Sequence, residues 1–167
     1  MKRLGCPISK VEYGRLLEPL LEQAAGYSFS LLRQRSDAED AVQQAALRGL
    51  QSLDTYEASR SFKGWWFTVL KHCCYDILRE RRTRPVRALD ALPPQIESKG
   101  ETRGCEELLK ALEQLSPEHE EILRLKYFGG MKYHEIAQTL GIPEGTVMSR
   151  LHLARNALAM AINVEVL

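Results

Sequence analysis

Trp65, Trp66 and Phe67 stand between Lys63 and Lys71, and the same stretch closes on Arg79-Glu80-Arg81-Arg82. Aromatic faces stack on unpaired bases while Lys and Arg follow phosphates, so this mixture suits single-stranded nucleic acid. One of the two adjacent tryptophans is expected to serve the core instead. The arginines taken alone would also suit a solvated helix end.

A second pattern runs from Tyr133 to Val147. Ile136, Ala137 and Leu140 share one side, Gly141 permits a left-handed cap, Ile142 plugs the corner, and Val147, Leu151, Ala154 and Leu158 continue the apolar stripe. Two helices around such a turn put the second into a major groove. At 100° per residue, the face opposite the stripe gathers Gly145, Thr146, Ser149, Leu153 and Asn156. Met148, His152 and Arg155 lie on one flank and Arg150 on the other.

Catalysis finds little support. There is no Ser-His-Asp order, Gly-rich phosphate loop or paired-carboxylate signature. His72, Cys73 and Cys74 are consecutive and cannot converge on one ion from a helix, while His119, His134 and His152 are dispersed. No catalytic residue, metal or cofactor is therefore expected.

The elements that must position these residues all read as helical. A first stretch, about Ser9 to Arg35, carries Leu16, Leu17, Leu20, Leu21, Ala24, Ala25, Leu31 and Leu32 at steps of three and four, with Pro19 and Gly26 expected to kink or divide it. Ser36-Asp37-Ala38-Glu39 fits a capping box opening the next helix, which turns Ala38, Ala41, Val42, Ala45, Ala46, Leu50 and Leu53 inward. Asp37, Glu39, Asp40 and Gln43 stay outside as an acidic face suited to a protein partner. The third helix is expected from Phe62 to Thr83. Pro85, Pro93, Pro94, Gly100 and Gly104 mark residues 84–105 as a linker. About 20 residues reach up to ~70 Å when extended, comparable to about 20 base pairs. Beyond it come a short amphipathic helix from Glu106 to Leu115, a restart at Ser116-Pro117, a helix from Lys132 to Leu140, and a last helix from Glu144 to about Ile162.

The chain is thus all-α: two small helical domains, 9–83 and 106–163, joined by a flexible linker, the second holding the helix-turn-helix. Its 167 residues allow either one compact domain or two small ones, and 44% hydrophobic with 27% charged residues is ordinary for a soluble protein. Net charge is only +1, yet from Arg60 to Arg87 eight basic residues face two acids, Asp76 and Glu80. A neutral total with a concentrated basic stripe fits nucleic acid on one face and another partner elsewhere. The four cysteines, Cys6, Cys73, Cys74 and Cys105, show no C-x-x-C pairing and read as reduced thiols. The first ten residues lack a signal-peptide apolar region, and no apolar run approaches the ~18 residues that span a bilayer. A cytoplasmic protein without membrane insertion is expected.

Taken in order, Asp37-Ala38-Glu39-Asp40-Ala41-Val42-Gln43-Gln44, then Trp65-Trp66-Phe67 to Arg82, then Leu115-Ser116-Pro117, then Gly145-Thr146-Val147-Met148-Ser149-Arg150-Leu151, the chain resembles the extracytoplasmic-function (group 4) sigma factors from about Glu12 to Ala159. The resemblance implies a factor that binds core RNA polymerase and promoter DNA, reads −10 and −35 elements and nucleates melting. It implies polymerase docking through Asp37, Glu39, Asp40, Gln43 and Leu47. It implies −10 reading and melting through Tyr56, Arg60, Phe62, Lys63, Trp65, Trp66, Lys71, His72, Tyr75, Asp76 and Arg79. It implies −35 reading through Thr146, Met148, Ser149, Arg150, His152, Leu153 and Arg155. An anti-sigma protein is the further implied partner, and the free factor would be a monomer. Family members often carry Arg or Lys where Met148 and Leu153 stand, Asn where His72 stands, and bulky aromatics where Ala46 and Leu50 stand.

Two other readings are weaker. A stand-alone helix-turn-helix regulator explains the C-terminal half but leaves Asp37 to Arg82 without a task, and such regulators dimerise on palindromes. A helical enzyme or adaptor binding RNA through the basic stripe predicts no association with polymerase.

Overall fold

A computed structural model describes residues 8–84 and 102–165, and among them every regular element is a helix. The described residues form eleven such elements, eight α-helices and three short turns of 3-10 or π helix. Helix α1 (Lys10–Leu17) starts at Ser9, whose hydroxyl accepts the Glu12 amide at 3.1 Å. Pro19 then forces one 3-10 turn, Glu18–Leu20, before α2 (Leu21–Leu32). Gly26, expected to help divide this stretch, does not: α2 runs through it unbroken.

Helix α3 (Arg35–Gln51) begins at Gln34 rather than at Ser36, so the expected capping box does not form and Ser36 lies inside the first turn. A long-range tie has replaced it. Arg81 donates to the Leu32 carbonyl at 2.7 Å, to Gln34 Oε1 at 3.2 Å and to Asp37 through Nε at 2.8 Å. One guanidinium so satisfies the free end of α2 and fixes the corner into α3. Ala38, Ala41, Ala45 and Gly49 make the inner face of α3 small enough for α4 to lie close.

Helix α4 (Phe62–Thr83) has the expected bounds, capped by Ser61, which accepts the Gly64 amide at 3.2 Å. Trp66 is wholly buried and seats its indole over Gly49, where an added Cβ would lie 3.1 Å from the ring and 2.5 Å from the Tyr13 hydroxyl. The indole N–H donates to Tyr13 Oη at 3.0 Å, and that hydroxyl donates to the Ala46 carbonyl at 2.8 Å. This relay joins α1, α3 and α4 without leaving a buried polar atom unpaired.

The C-terminal half opens with α5 (Thr102–Glu113), which takes in the last residues of the stretch read as linker; residues 85–101 lie outside the described residues. Ser116 and Pro117 start α6 (Pro117–Leu123) as expected, with the Ser116 hydroxyl accepting the His119 amide at 3.4 Å. A π turn, Arg124–Phe128, leads to α7 (Tyr133–Leu140). Gly141 adopts φ 65°, ψ 35°, the left-handed cap anticipated from its place in the turn. Helix α8 (Glu144–Glu165) then buries Val147, Leu151 and Ala154 completely. The halves do not lie apart: Trp66, Phe67 and Leu70 of the first belong to one buried apolar cluster with Leu125, Met131 and Ile136 of the second.

Candidate nucleic-acid and protein interfaces

The N-terminal turn of α4 and the loop before it gather an aromatic cluster. Tyr56 meets Phe62 edge-on at 5.6 Å and Trp65 at 5.3 Å, while Phe62 meets Trp65 at 5.7 Å. Phe62 and Tyr56 are buried to 9% exposure, so they support the cluster, while Trp65 is half-buried and keeps part of one face free. Trp65 is held in place by its indole N–H, 3.2 Å from Thr55 Oγ1. Beside it lies a cavity of about 310 Å³ lined by Thr55, Arg60, Trp65, Thr68, Val69 and His72, with Gly64 at its floor. Its size and mixture suit one planar base: a ring to stack on, hydroxyls and an imidazole for edges, and an exposed arginine for phosphate.

Not every residue expected here reaches it. Trp66, offered as a stacking surface, has no exposed face and is a core residue. Asp76 turns to α3, where Arg48 reaches it at 2.6 Å; this hydrogen bond, before any other influence, holds the Asp76 carboxyl below its ordinary range. Arg79 adds a looser pair with Asp76 at 3.5 Å. Tyr75 is exposed but lines a different recess with Tyr27, Glu120 and Arg124. Lys63 donates to Gln23 Oε1 and to the Gly130 carbonyl at 2.9 Å, and its partial burial lowers its pKa. Lys71 pairs with Glu121 at 2.7 Å.

Sequence reasoning missed the residues that complete this region. Gln138 and Thr139 of α7 form the remaining wall of the cavity. Nothing local marks them, because on α7 they read as an ordinary polar face.

On α3, Asp40, Gln43 and Leu47 form one exposed stripe, with Leu47 62% exposed. Asp37 is set apart from it, half-buried under Arg81, and Glu39 accepts from Arg35 at 2.9 Å. The exposed stripe is therefore narrower and less charged than the sequence suggested.

On α8, Met148, Ser149, His152, Leu153, Arg155 and Asn156 are exposed, and Thr146 is half-buried at its start. Met148 and Leu153 show 57% and 56% of their surface, two exposed apolar side chains on the proposed reading helix. Arg150 departs from the expected reading face: it turns to α6 and pairs with Glu118 at 3.4 Å. Arg155 bonds the Tyr127 hydroxyl, which raises its pKa.

Among the described residues no group of three or more His, Cys, Asp or Glu could hold a metal ion, and no helix is long and apolar enough to cross a membrane. Cys73 and Cys74 are buried free thiols, and burial pushes Cys74 up to about 11. Neither is set up to react, since the thiolate is the reactive form.

Residues 16–84 match the family model described as Sigma-70 region 2, and residues 105–158 match Sigma-70, region 4. The chain is 34% identical over 142 residues to the ECF RNA polymerase sigma factor SigL of Mycobacterium tuberculosis, covering 81% of this chain and 80% of SigL. It is 28% identical to the RNA polymerase sigma factor SigV of Bacillus subtilis, covering 83% of each. Among solved structures, CnrH in complex with the cytosolic domain of CnrY matches 93% of this chain and 90% of its own length, with TM-score 0.71 and 22% identity, a likeness of fold. The sigma factor RpoE in complex with the anti-sigma factor NepR from Bartonella quintana matches 92% of this chain and 98% of its own length, with TM-score 0.66 and 26% identity.

Proposed function

The chain belongs to the extracytoplasmic-function sigma factors of bacterial RNA polymerase, and from that premise we propose which of its side chains perform each part of the work. It is a promoter-recognising factor for core RNA polymerase. Sigma factors are regulatory proteins, and the chemistry is the polymerase's. A stand-alone regulator would leave the whole region-2 match, residues 16–84, idle.

The α4 end is the −10 site. Extruding a base from the duplex costs a few kcal/mol, and stacking on an aromatic face returns about 1–3 kcal/mol. Trp65 supplies that face, Thr55, Thr68 and His72 supply polar atoms for the base edge, and Arg60 meets the adjoining phosphate. The observation that carries this assignment is the base-sized cavity at Trp65 beside an exposed cation. Helix α8 is the −35 reader, entering a major groove with Thr146 and Ser149 at base edges, Arg155 and His152 on phosphates, and Leu153 against a thymine methyl. Domain limits of 9–83 and 106–163 follow from this division.

The Asp40, Gln43 and Leu47 stripe is the polymerase contact. Structural neighbours seated with partner proteins, together with exposed Met148 and Leu153, favour an anti-sigma protein as a further partner that holds the factor in the cytoplasm. The test is transcription with core polymerase on a promoter library. Enrichment of a shared −10 and −35 pair is expected, and its loss with Asp40→Lys places the polymerase contact on α3. No promoter-dependent transcript, with a folded factor, overturns the reading.

A further inference from the structure

The buried face of α3 is made of Ala38, Ala41, Ala45 and Gly49. Small side chains let helices lie close but raise little ridge to fix how one is turned about its own axis. Polar ties must fix it instead. In the second half of α3, Tyr13 Oη donates to the Ala46 carbonyl at 2.8 Å and Arg48 reaches Asp76 at 2.6 Å. In the first half, next to Asp40 and Gln43, the tie is Arg81. The joint leading into that half is short and strained. Arg33 caps α2 at φ 59°, ψ 6°, the one non-glycine residue with positive φ among those described. Gln34 follows, extended at φ −128°, ψ 130°, and its side chain makes no cap, so the joint alone does not set the angle of α3. Arg81 grips it on both sides. Its Nη1 donates to the Leu32 carbonyl before the joint at 2.7 Å, its Nη2 to Gln34 Oε1 at 3.2 Å, and its Nε to Asp37 beyond it at 2.8 Å. A planar guanidinium offers these donors at fixed angles, so three acceptors are set by one rigid group.

We propose that Arg81 is a positioning residue for core polymerase: acting through Asp37, it sets the angle at which α3 presents the Asp40, Gln43 and Leu47 stripe. It rests on the assignment of that stripe to polymerase docking. Asp37 lies about one helical turn before Asp40 and about two before Gln43, so any rotation at Asp37 swings both. Arg81 and Asp37 are half-buried, and their pairing is screened less than that of an exposed pair. The basic run of α4 is thereby divided in use. Arg79 and Arg82 face solvent, while Arg81 turns inward to the corner. One rigid helix then carries both Trp65 and the group that orients the polymerase stripe.

Titrating the full chain with core polymerase, in the absence of promoter DNA, reads docking alone. Arg81→Ala should weaken binding about tenfold, the scale of one lost hydrogen bond to a charged group. Lost stability could weaken binding too, so the variant is also made together with Gly14→Ala. Gly14 lies inside α1, where an added Cβ meets nothing within 4 Å, and alanine there should raise the denaturation midpoint. The double variant should recover the midpoint while its binding stays weak. Binding that returns with the midpoint overturns the positioning role, as does an Arg81→Ala chain that binds like the wild type. Asp37→Ala completes a cycle. If Arg81 acts through Asp37, Asp37→Ala with Arg81→Ala binds no more weakly than Arg81→Ala by itself. Losses that add give the two residues separate roles and overturn the proposal. Should Arg81→Ala fail to fold, Arg81→Lys takes its place, since it keeps a cation for Asp37 without the fork. Weaker binding at an unchanged midpoint is then expected, and wild-type binding overturns the role. Asp40→Lys is titrated alongside. Unchanged binding there overturns the docking assignment itself, whereas weakened binding there with Arg81→Ala unaffected overturns the positioning alone.

Discussion

Helices α4 and α8 have the same length, 22 residues, and both carry a proposed promoter contact, but they are built in opposite ways. Helix α4 crosses the middle of its bundle, burying Trp66, Phe67, Leu70, Cys73 and Cys74, and its proposed DNA contacts lie in its first three turns. Three of its cations, Lys63, Lys71 and Arg81, have partners on other elements. Helix α8 buries a narrow seam of Val147, Leu151 and Ala154, half-buries Leu158 beside it, and leaves the face with Met148, His152, Leu153, Arg155 and Asn156 open. That open surface carries Met148 and Leu153 where charge would be expected of a DNA reader. A reader set into a core gains rigidity and gives up freedom to change. A reader laid on a surface can vary in sequence with little effect on folding.

The two tryptophans test the first half of that contrast. Trp66→Ala removes a fully buried ring and leaves a void over Gly49, with Tyr13 Oη losing its donor. We expect a loss of about 3–5 kcal/mol in stability, read as a shift of the chemical-denaturation midpoint. Trp65→Ala should leave that midpoint almost in place and instead weaken the open complex by about 1–3 kcal/mol, read by permanganate reactivity of promoter thymines. Equal stability losses at both positions would erase the distinction between anchor and reader on α4.

The same contrast explains what could be read from sequence. The helix-turn-helix was legible because its determinants are local: Gly141 at the cap, and Ile136, Val147 and Leu151 at helical spacing. The bounds of α4 were legible for the same reason, from Ser61 to the basic end. Other features depend on long-range contacts. Ser36 and Glu39 spell a capping box, but Arg81, more than forty residues on, secures the α2–α3 corner one turn earlier. Arg124, which pairs with Glu120 four residues before it, is buried against Ser30, 94 residues away, a contact that no local pattern announces. The resemblance implies DNA contacts for Asp76 and Arg150, and each is also tied to a neighbouring helix, by Arg48 and Glu118. Which of two adjacent tryptophans faces inward depended on Gly49 and Tyr13, neither of which is near them in sequence.

Leu153 probes the second half of the contrast with the smallest expected effect. It is 56% exposed, so Leu153→Arg should change stability by no more than about 0.5 kcal/mol. What changes is the long-range field at the groove. One added phosphate contact steepens the logarithmic dependence of −35 binding on salt by about 0.9, measured by titrating the full holoenzyme on promoter DNA at several salt concentrations. A steeper slope with inhibition by the cognate anti-sigma protein intact makes Leu153 a weakened DNA contact. An unchanged slope with inhibitor binding lost makes it a protein contact. Altered base preference at one position together with lost inhibition gives Leu153 both uses, a thymine methyl when the factor is free and an apolar partner helix when it is held. Any of these leaves α8 a tunable surface. A stability loss comparable to that of Trp66→Ala would instead make α8 a core helix like α4, and the difference between the two readers would vanish.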